Sequence, residues 1–297
     1  MQRRLHRTFS PGQIALHLVM IGFMLAALVP FLLMIMSSFT DEDILLKYGY
    51  TLFPSKFSLY AYYYLFVADA VTILRSYAVT LGVTASGTML SLLLTPMMGY
   101  ALSRKDYRKR GVLTFYIFFT MLFNGGLVPQ YLMYTQILHI KNTFAALIVP
   151  NLLISAFSIL LMKSYFVLNI HPALIEAAKM DGGGEFYIFF RIVMPLSTPI
   201  LATMGLMTGI GYWNDWMNGL YYISNAKFFS LQVLLNRILA NLSFLRQYGN
   251  ELGFNIPLPS TAIRMAMATI GSVPILVLYP LFQKYFVKGI SLGGVKG

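Results

Sequence analysis

The segment that decides the fold reads EAAKMDG from Glu176 to Gly182. After nine intervening residues it is followed by IVMP from Ile192 to Pro195. It is short, polar and rich in small side chains, and it lies between two long apolar runs. His171-Pro172 predicts the start of a helix, because proline is favoured at the first helical position. Gly182 predicts its end, because glycine adopts the left-handed conformation that follows many helices. A second amphipathic piece from Glu185 completes a predicted helix-turn-helix, which we call the elbow (residues 172–191).

The composition places the chain in a membrane. Of its 297 residues, 58% are hydrophobic and 11% are charged, and the mean hydropathy is +0.68. Soluble domains are about 45–50% apolar and about 25% charged, so one soluble core could not bury this much apolar surface. The net charge of +12 does not indicate nucleic acid, because the basic residues flank apolar segments. The lack of cysteine excludes disulfides and thiolate chemistry.

Six apolar runs are long enough to cross a bilayer as helices, which need about 20 residues each. Backbone groups in lipid must be paired within the chain, and the alternation typical of a membrane barrel is absent. The first run is too long for the core of a signal peptide, so we expect an uncleaved membrane helix there. We therefore predict an all-α membrane protein with six transmembrane helices, at residues 13–37, 76–102, 112–138, 144–168, 192–220 and 262–287.

The charges between the runs predict the orientation. The connection Arg104–Arg110 holds five cations in seven residues, an excess that marks cytoplasmic loops. The N-terminal arginines and C-terminal lysines then also face the cytoplasm, and the acidic connection after the first run suits the outer side. Six spans place both termini and residues 169–191 inside. The outer connection 222–260 is longer than a simple link needs, and its three cations are a mild departure from the rule.

Polar residues within the runs are candidates for a translocation path. Asn124-Gly125-Gly126 and Pro129 interrupt the third run, which indicates either a bend that lines a cavity or an ordinary kink near the outer surface. Asp215 is the acid within the fifth run, beside aromatic and amide side chains that suit a sugar; an interfacial aromatic belt is the alternative. The candidates are Asn124, Gln130, Asn151, Trp213, Asn214 and Asp215.

The spacing of the opening segment resembles the EAA loop of permease subunits in bacterial binding-protein-dependent ABC importers, with Met194 where leucine is usual. In that family the loop sits in a cleft of the ATP-hydrolysing subunit and transmits its closure to the membrane helices. The resemblance therefore implies an ATPase-coupling role for Glu176, Ala177, Ala178, Asp181 and Gly182. A solvated loop helix with an incidental acid is the alternative.

The end of the chain and the interrupted third run narrow the resemblance. The run Gly293-Gly294-Val295-Lys296-Gly297 is similar to the tail of the smaller permease of the maltose importer and its relatives, which reaches the ATPase dimer interface; the alternative is a frayed terminus. The run Phe123–Tyr131 looks like a branch that imports complex, often acidic oligosaccharides such as alginate and plant-polysaccharide fragments.

The resemblance implies a six-span permease fold with four segments. Residues 1–40 form an N-terminal cytoplasmic segment and the first membrane helix, and residues 41–75 form an extracytoplasmic loop. Residues 76–287 form a five-helix core with the coupling loop at 169–191, and residues 288–297 form a cytoplasmic tail. We expect a multi-pass protein of the bacterial inner (cytoplasmic) membrane with both termini in the cytoplasm.

The expected function is the import of an oligosaccharide, driven by ATP. The chain has no phosphate-binding Gly-x-x-x-x-Gly-Lys motif and no His-x-x-x-His pair, so we expect no enzyme activity, no cofactor and no metal, with ATP and Mg in partner subunits. Expected partners are a second permease, two ATPase subunits, an extracytoplasmic binding protein and the lipid bilayer. The alternatives are an ion-coupled secondary transporter, a membrane enzyme and a structural scaffold.

Overall fold

The chain folds into helices along almost its whole described length. The computed structural model describes residues 11–68, 70–248 and 260–294. The helices are α1 (Pro11–Ser38), α2 (Glu42–Tyr48), α3 (Tyr60–Ala68), α4 (Ala70–Ser103), α5 (Arg110–Leu122), α6 (Leu127–Leu132), α7 (Ala145–Ile148), α8 (Ala156–Asn169), α9 (Pro172–Met180), α10 (Glu185–Ile188), α11 (Met194–Leu196), α12 (Thr198–Asn214), α13 (Met217–Tyr222), α14 (Leu231–Tyr248) and α15 (Ser260–Gly294). Short π-helical segments at Met133–Ile137 and Phe189–Val193 extend α6 and α10.

Two helices in the described residues, α1 and α4, are long and apolar enough to cross a bilayer. Three bent pairs raise that number to five if each is counted as one span. The bends are 117° between α5 and α6, 79° between α8 and α9, and 83° between Glu185–Leu196 and α12. The helical class is thus as predicted, while the six-span count remains a prediction.

The break of the third run lies where the sequence predicts it. Helix α5 ends at Leu122, and Gly126 has a φ of +88°, which only glycine adopts without strain. The side-chain oxygen of Asn124 accepts the N–H of Gly126 at 2.8 Å and closes a local turn. The chain therefore reverses into α6 over four residues, Phe123–Gly126.

Two predicted spans, 144–168 and 192–220, are wrong as continuous helices. The first is interrupted between α7 and α8, where Pro150 lacks a donor and Asn151 has a φ of +62°. The second is interrupted at Ser197, just before Pro199, and again at Asp215. Hydropathy averaged over a whole run misses these breaks, because one proline or a few polar residues change the average only slightly.

Three further boundaries differ from the sequence-based ones. Helix α4 begins at Ala70 rather than at residue 76, and α2, α3 and the first turns of α4 make more than half of the connection 41–75 helical. The connection 222–260 contains α14, so much of it is helical. Helix α15 continues through residue 294, so Gly293 and Gly294 belong to its last turn; Val295, Lys296 and Gly297 lie outside the described residues.

The described residues fall into two compact units: one lies within Met1–Ala70 and Leu239–Val273, the other within Val71–Ile238 and Pro274–Gly297. In the first, Glu42 of α2 caps α15, because its carboxylate accepts the N–H groups of Thr261 at 3.0 Å and Ala262 at 2.8 Å. Residues 11–32 of α1 are exposed within the chain, so this apolar helix needs lipid or another protein around it.

Small residues along one face of α4 organise the second unit. Its buried positions include Ser76, Thr80, Gly87, Ser91, Thr95 and Gly99. A Cβ at Gly87 would lie 2.5 Å from the ring of Tyr212 on α12, and one at Gly99 would lie 2.8 Å from the Cβ of Met162 on α8. Small residues allow such close approach, which is the main source of stability between helices in lipid.

We predict that Gly99→Ala lowers the stability of the protein by about 1–3 kcal/mol, because the added methyl group forces α4 and α8 apart. Gly111→Ala is the matched control, since a Cβ there meets no atom within 4 Å and alanine favours a helix. Thermal unfolding in detergent measures both. Equal melting temperatures for the two variants would contradict the close packing.

Candidate functional site: the elbow

The elbow forms from α9, a glycine turn and α10. Pro172 occupies the first turn of α9, as the sequence predicts. After Met180 the chain turns through Gly182, whose φ is +79°. The N–H of Gly183 donates to the carbonyl of Ala178 at 2.9 Å, and that of Gly182 to the carbonyl of Lys179 at 3.0 Å. This pair of bonds is the Schellman motif, so the predicted helix end is confirmed.

The residues of the EAAKMDG segment point in two directions. Glu176, Ala177, Asp181 and Gly182 are exposed, and they form the outer surface of the elbow. Ala178 is buried, at 9% exposure, in the chain's own core. Of the two alanines, Ala177 is therefore the one accessible at the surface, while Ala178 packs in the chain's own core; the coupling role predicted for both stays a prediction.

A core of the chain's own side chains holds the elbow in place. Its members are Tyr100 of α4 and Met204 of α12, then Met162, Phe166 and Ile170 in and just after α8, and Ile175, Ala178, Ile188, Phe189 and Val193 in and just after the elbow. The ring of Tyr100 lies 5.4 Å from that of Phe189 and 6.2 Å from that of Phe166, centre to centre. The inner face of the elbow is thus packed against the helices that it connects.

The outer face of the elbow carries large apolar side chains. Met180 is 88% exposed and Phe186 is 70% exposed. Tyr187, which follows Phe186 in the sequence, is also exposed. A shallow hollow of about 460 Å³ lies at the glycine turn, between Ala178 and Ile192. Exposed apolar groups clustered with polar ones mark surfaces that bind another protein or a membrane.

Four charged side chains tie the elbow to the end of α4. We call Arg104, Asp106, Lys179 and Glu185 the ion-pair ring. Arg104 Nε lies 2.9 Å from Asp106 Oδ1, and Arg104 Nη2 lies 3.7 Å from Glu185 Oε1. Lys179 Nζ lies 3.2 Å from Asp106 Oδ2 and 2.7 Å from Glu185 Oε1. Each cation of the ion-pair ring therefore reaches both anions.

The ion-pair ring stabilises the charged form of each member. Hydrogen bonds from Arg104 hold the pKa of Asp106 below its ordinary value, and Lys179 does the same for the pKa of Glu185. The carboxylate of Glu185 raises the pKa of Lys179, and that of Asp106 raises the pKa of Arg104. All four groups are consequently charged around neutral pH, where the lowered acids and raised bases are both far from titration.

A cavity of about 290 Å³ lies between the ion-pair ring and α8. Glu176 lines it together with Arg104, Lys179 and Phe166. The side chain of Glu176 forms no hydrogen bond or ion pair with another described residue, and the residue is exposed. Its charge is therefore available to a partner.

The path candidates are only partly brought together. Gln130 Nε2 donates to Asn151 Oδ1 at 2.9 Å, which joins the two interrupted runs. Next to Asn151, the carbonyl of Pro150 accepts from Asn218 Nδ2 at 3.0 Å. Asn218 is in α13, whose first N–H groups bind Asp215, so Asp215 caps a short helix here.

The other path candidates have different surroundings. Trp213 is buried, Asn214 is exposed, and the side chain of Asn124 is used in its local turn. A large groove of about 820 Å³ lies elsewhere, between α4 and α12, and it is lined almost entirely by apolar groups. Such a lining suits an apolar helix rather than a sugar. Within the described ranges, no three His, Asp or Glu side chains lie close enough to share a metal ion.

The ion-pair ring was not predicted from the sequence. The only local signal for it is the basic residue in the last turn of α9 and the acid in the first turn of α10, which suit the two helix dipoles. Arg104 and Asp106 are more than 70 residues away along the chain, so their arrival at the elbow follows from packing alone.

Comparison with known proteins identifies the family. No family model matches the chain. It is 38% identical over 275 residues, 93% of this chain and 94% of the relative, to the polygalacturonan/rhamnogalacturonan transport system permease protein YtcP of Bacillus subtilis. It is 29% identical to the arabinooligosaccharides transport system permease protein AraQ of Halalkalibacterium halodurans, over 94% of this chain and 96% of the relative.

A solved structure has the same fold. It is the crystal structure of a bacterial ABC transporter involved in the import of the acidic polysaccharide alginate, with a TM-score of 0.77 and 29% sequence identity over 92% of this chain and 95% of that one. The relatives are transport permeases rather than enzymes, in agreement with the sequence-based expectation. The identity, the coverage and the fold agree: the chain belongs to the family of permease subunits of carbohydrate ABC importers.

Proposed function

We propose that the chain is the permease through which an ATP-driven importer moves an acidic oligosaccharide, and that the elbow is the part gripped by the ATPase. The observation that carries the proposal is the two-sided elbow, whose inner face is fixed in the chain's own core while Glu176, Ala177 and Met180 face outward. A lever must be rigidly attached at one end and accessible at the other. Asp181 and Gly182, at the exposed turn, extend the same surface.

The proposed topology has six spans with both termini in the cytoplasm. The five cations of Arg104–Arg110 lie on the same side as the elbow, since Arg104 and Lys179 share the ion-pair ring. This supports a cytoplasmic elbow, because cation-rich connections stay inside. It also supports an extracytoplasmic connection at 41–75 and a core at 76–287 with its coupling loop at 169–191. In the same topology the tail at 288–297 is cytoplasmic, and Lys296 in this tail is the proposed contact for the ATPase pair.

The proposed assembly contains a second permease, two ATPase subunits and an extracytoplasmic binding protein. The exposed apolar face of α1 and the apolar groove between α4 and α12 support lipid and a second permease as neighbours. ATP and Mg belong to the ATPase subunits, and this chain binds no cofactor. Helix α14 is the proposed contact for the binding protein, since its exposed residues include Asn236 and Arg237.

The proposed substrate is an acidic oligosaccharide. The support is the similarity to a polygalacturonan/rhamnogalacturonan permease and to an alginate transporter. The proposed path runs by Gln130 and Asn151, whose paired amides offer donors and acceptors where the third and fourth runs are interrupted. Trp213, Asn214 and Asp215 flank it at the end of α12, and Asn124 stands at the turn before α6.

The topology predicts a clear labelling pattern, and the lack of native cysteine makes the experiment direct. Phe53→Cys, at an exposed site in the connection 41–75, reacts with a membrane-impermeant maleimide in intact spheroplasts. Met180→Cys, at an exposed site of the elbow, reacts only after the membrane is permeabilised. Labelling of Met180→Cys in intact spheroplasts would place the elbow outside and end the proposal.

We predict that Ala177→Asp weakens binding of the ATPase subunit by about 100-fold, since an unpaired carboxylate buried at an interface costs about 3 kcal/mol or more. Co-purification from detergent measures the binding, and the amount of permease in the membrane should not change. Ala240→Asp makes the same change at an exposed site of α14 and should leave the complex intact. Ala178 is unsuitable for this test, because a carboxylate there would disrupt the chain's own core. Undiminished co-purification with Ala177→Asp refutes docking at the elbow.

We also predict that the reconstituted importer takes up labelled oligogalacturonides in preference to neutral malto-oligosaccharides of equal length. Uptake is measured in proteoliposomes with the binding protein outside and ATP inside. The preference should be about tenfold or more, which corresponds to one charge-assisted contact of about 1.4 kcal/mol or more. Equal uptake of the two sugars would remove the acidic substrate from the proposal, and it would leave the ATP-driven mechanism in place.

A further inference from the structure

The ion-pair ring joins parts of the chain that are far apart in sequence. Arg104 follows the last residue of α4, Asp106 lies in the next connection, Lys179 is in the last turn of α9, and Glu185 opens α10. The ion-pair ring therefore bridges the two arms of the elbow and fastens both arms to the end of α4. The covalent chain makes the first of these links through four residues, Asp181 and the three glycines at 182–184.

The charges of the ion-pair ring balance, although the connection Arg104–Arg110 as a whole is strongly basic. Two cations face two anions, and all four cation–anion pairings lie within 4 Å, since the longest is 3.7 Å. The surrounding cations, Lys105, Arg108, Lys109 and Arg110, form no ion pair with another described residue. Each acid of the ion-pair ring therefore pairs with both cations of the ring and with no other cation among the described residues.

Tyr100 connects the ion-pair ring to the core. Its hydroxyl lies 3.3 Å from Glu185 Oε2 and 3.3 Å from Arg104 Nη1, while its ring packs against Phe166 and Phe189. Arg104 is the least exposed member of the ion-pair ring, at 14% of its side chain. The elbow is thus held to α4 by charged contacts near the surface and by aromatic contacts in the adjacent core.

We propose that the ion-pair ring makes the elbow and α4 move as one body, so that Arg104, Asp106, Lys179 and Glu185 are positioning residues for transport. This inference rests on the proposed function, in which the ATPase moves the elbow. Without the ion-pair ring, the elbow would act on α4 only through apolar contacts such as that of Tyr100 with Phe189, besides its links along the chain towards α8 and α12. With the ion-pair ring, charged contacts also fasten both arms of the elbow to α4, which packs on both of those helices.

The first test measures the distance between the elbow and α4. Spin labels are placed at Leu174→Cys in α9 and Leu81→Cys in α4, both at exposed sites outside the residues assigned to ATPase docking, in a complex with cysteine-free ATPase subunits. With the ion-pair ring intact, we expect one narrow distance distribution that ATP and vanadate leave unchanged. With Lys179→Ala or Glu185→Gln added, we expect the distribution to broaden and to shift when ATP and vanadate are supplied.

The second test measures how much sugar is taken up per ATP hydrolysed, in proteoliposomes with the substrate of the wild-type importer. We expect Lys179→Ala to lower this ratio by about fivefold or more, in the usual range of coupling between sites. Lys179→Arg keeps the charge and should restore the ratio. Lys105→Ala removes a neighbouring cation outside the ion-pair ring and should have no effect. A general loss of stability would lower uptake and hydrolysis together and would leave their ratio unchanged.

The outcomes separate this inference from the proposed function. If the ATPase subunit does not co-purify with the wild-type chain, both fail. If it co-purifies, and the Lys179→Ala and Glu185→Gln variants show the wild-type distance distribution in both nucleotide states, the coupling role of the ion-pair ring is refuted and the docking role of the elbow remains. The coupling role is equally refuted if Lys179→Arg is as impaired as Lys179→Ala.

Discussion

Close approach along one face of α4 is the constraint on which the second unit depends. Lipid is as apolar as leucine, so burying apolar side chains between helices gains little there, and stability has to come from tight contact and hydrogen bonds. Gly87 and Gly99 leave room for Tyr212 of α12 and Met162 of α8, respectively. Thr80 adds a hydrogen bond, because its side-chain oxygen accepts the N–H of Leu231, the first residue of α14, at 2.8 Å. One helix thereby fixes the positions of three others.

The interrupted spans follow a second rule, that backbone groups without a helical partner must find one elsewhere in the protein. The carbonyl of Ile148, at the end of α7, accepts from the hydroxyl of Tyr212 at 2.9 Å. The side chain of Asn142 accepts the N–H groups of Ser224 and Asn225, at 2.7 and 3.0 Å. In both of these places, backbone groups without a helical partner bond to a side chain from a distant helix or loop, which is how an irregular backbone is tolerated inside an apolar chain.

The sequence predicts the local features and misses the distant ones, for a physical reason. Pro172 and Gly182 act through their own backbone angles, so the limits of α9 could be predicted from the residues alone. The same holds for the turn at Gly126. Pro150, in contrast, occurs in a run that stays apolar on both sides, and its carbonyl is satisfied by Asn218, 68 residues later. No local pattern reports such a partner, so the break between α7 and α8 was missed.

The elbow shows why a motif that is recognised in the sequence does not by itself indicate which of its residues are buried and which are exposed. Ala177 and Ala178 are identical in size and helix propensity, yet a helix turns about 100° per residue, so one faces outward and the other packs inward. The inward alanine lies in the core that holds the elbow, together with Tyr100 of α4 and Phe166 of α8, and the outward one lies on the exposed face to which the proposed function assigns the ATPase. In that proposal, the two neighbouring small residues serve two different contacts. A lever needs both, because force passes through it only if neither contact has slack.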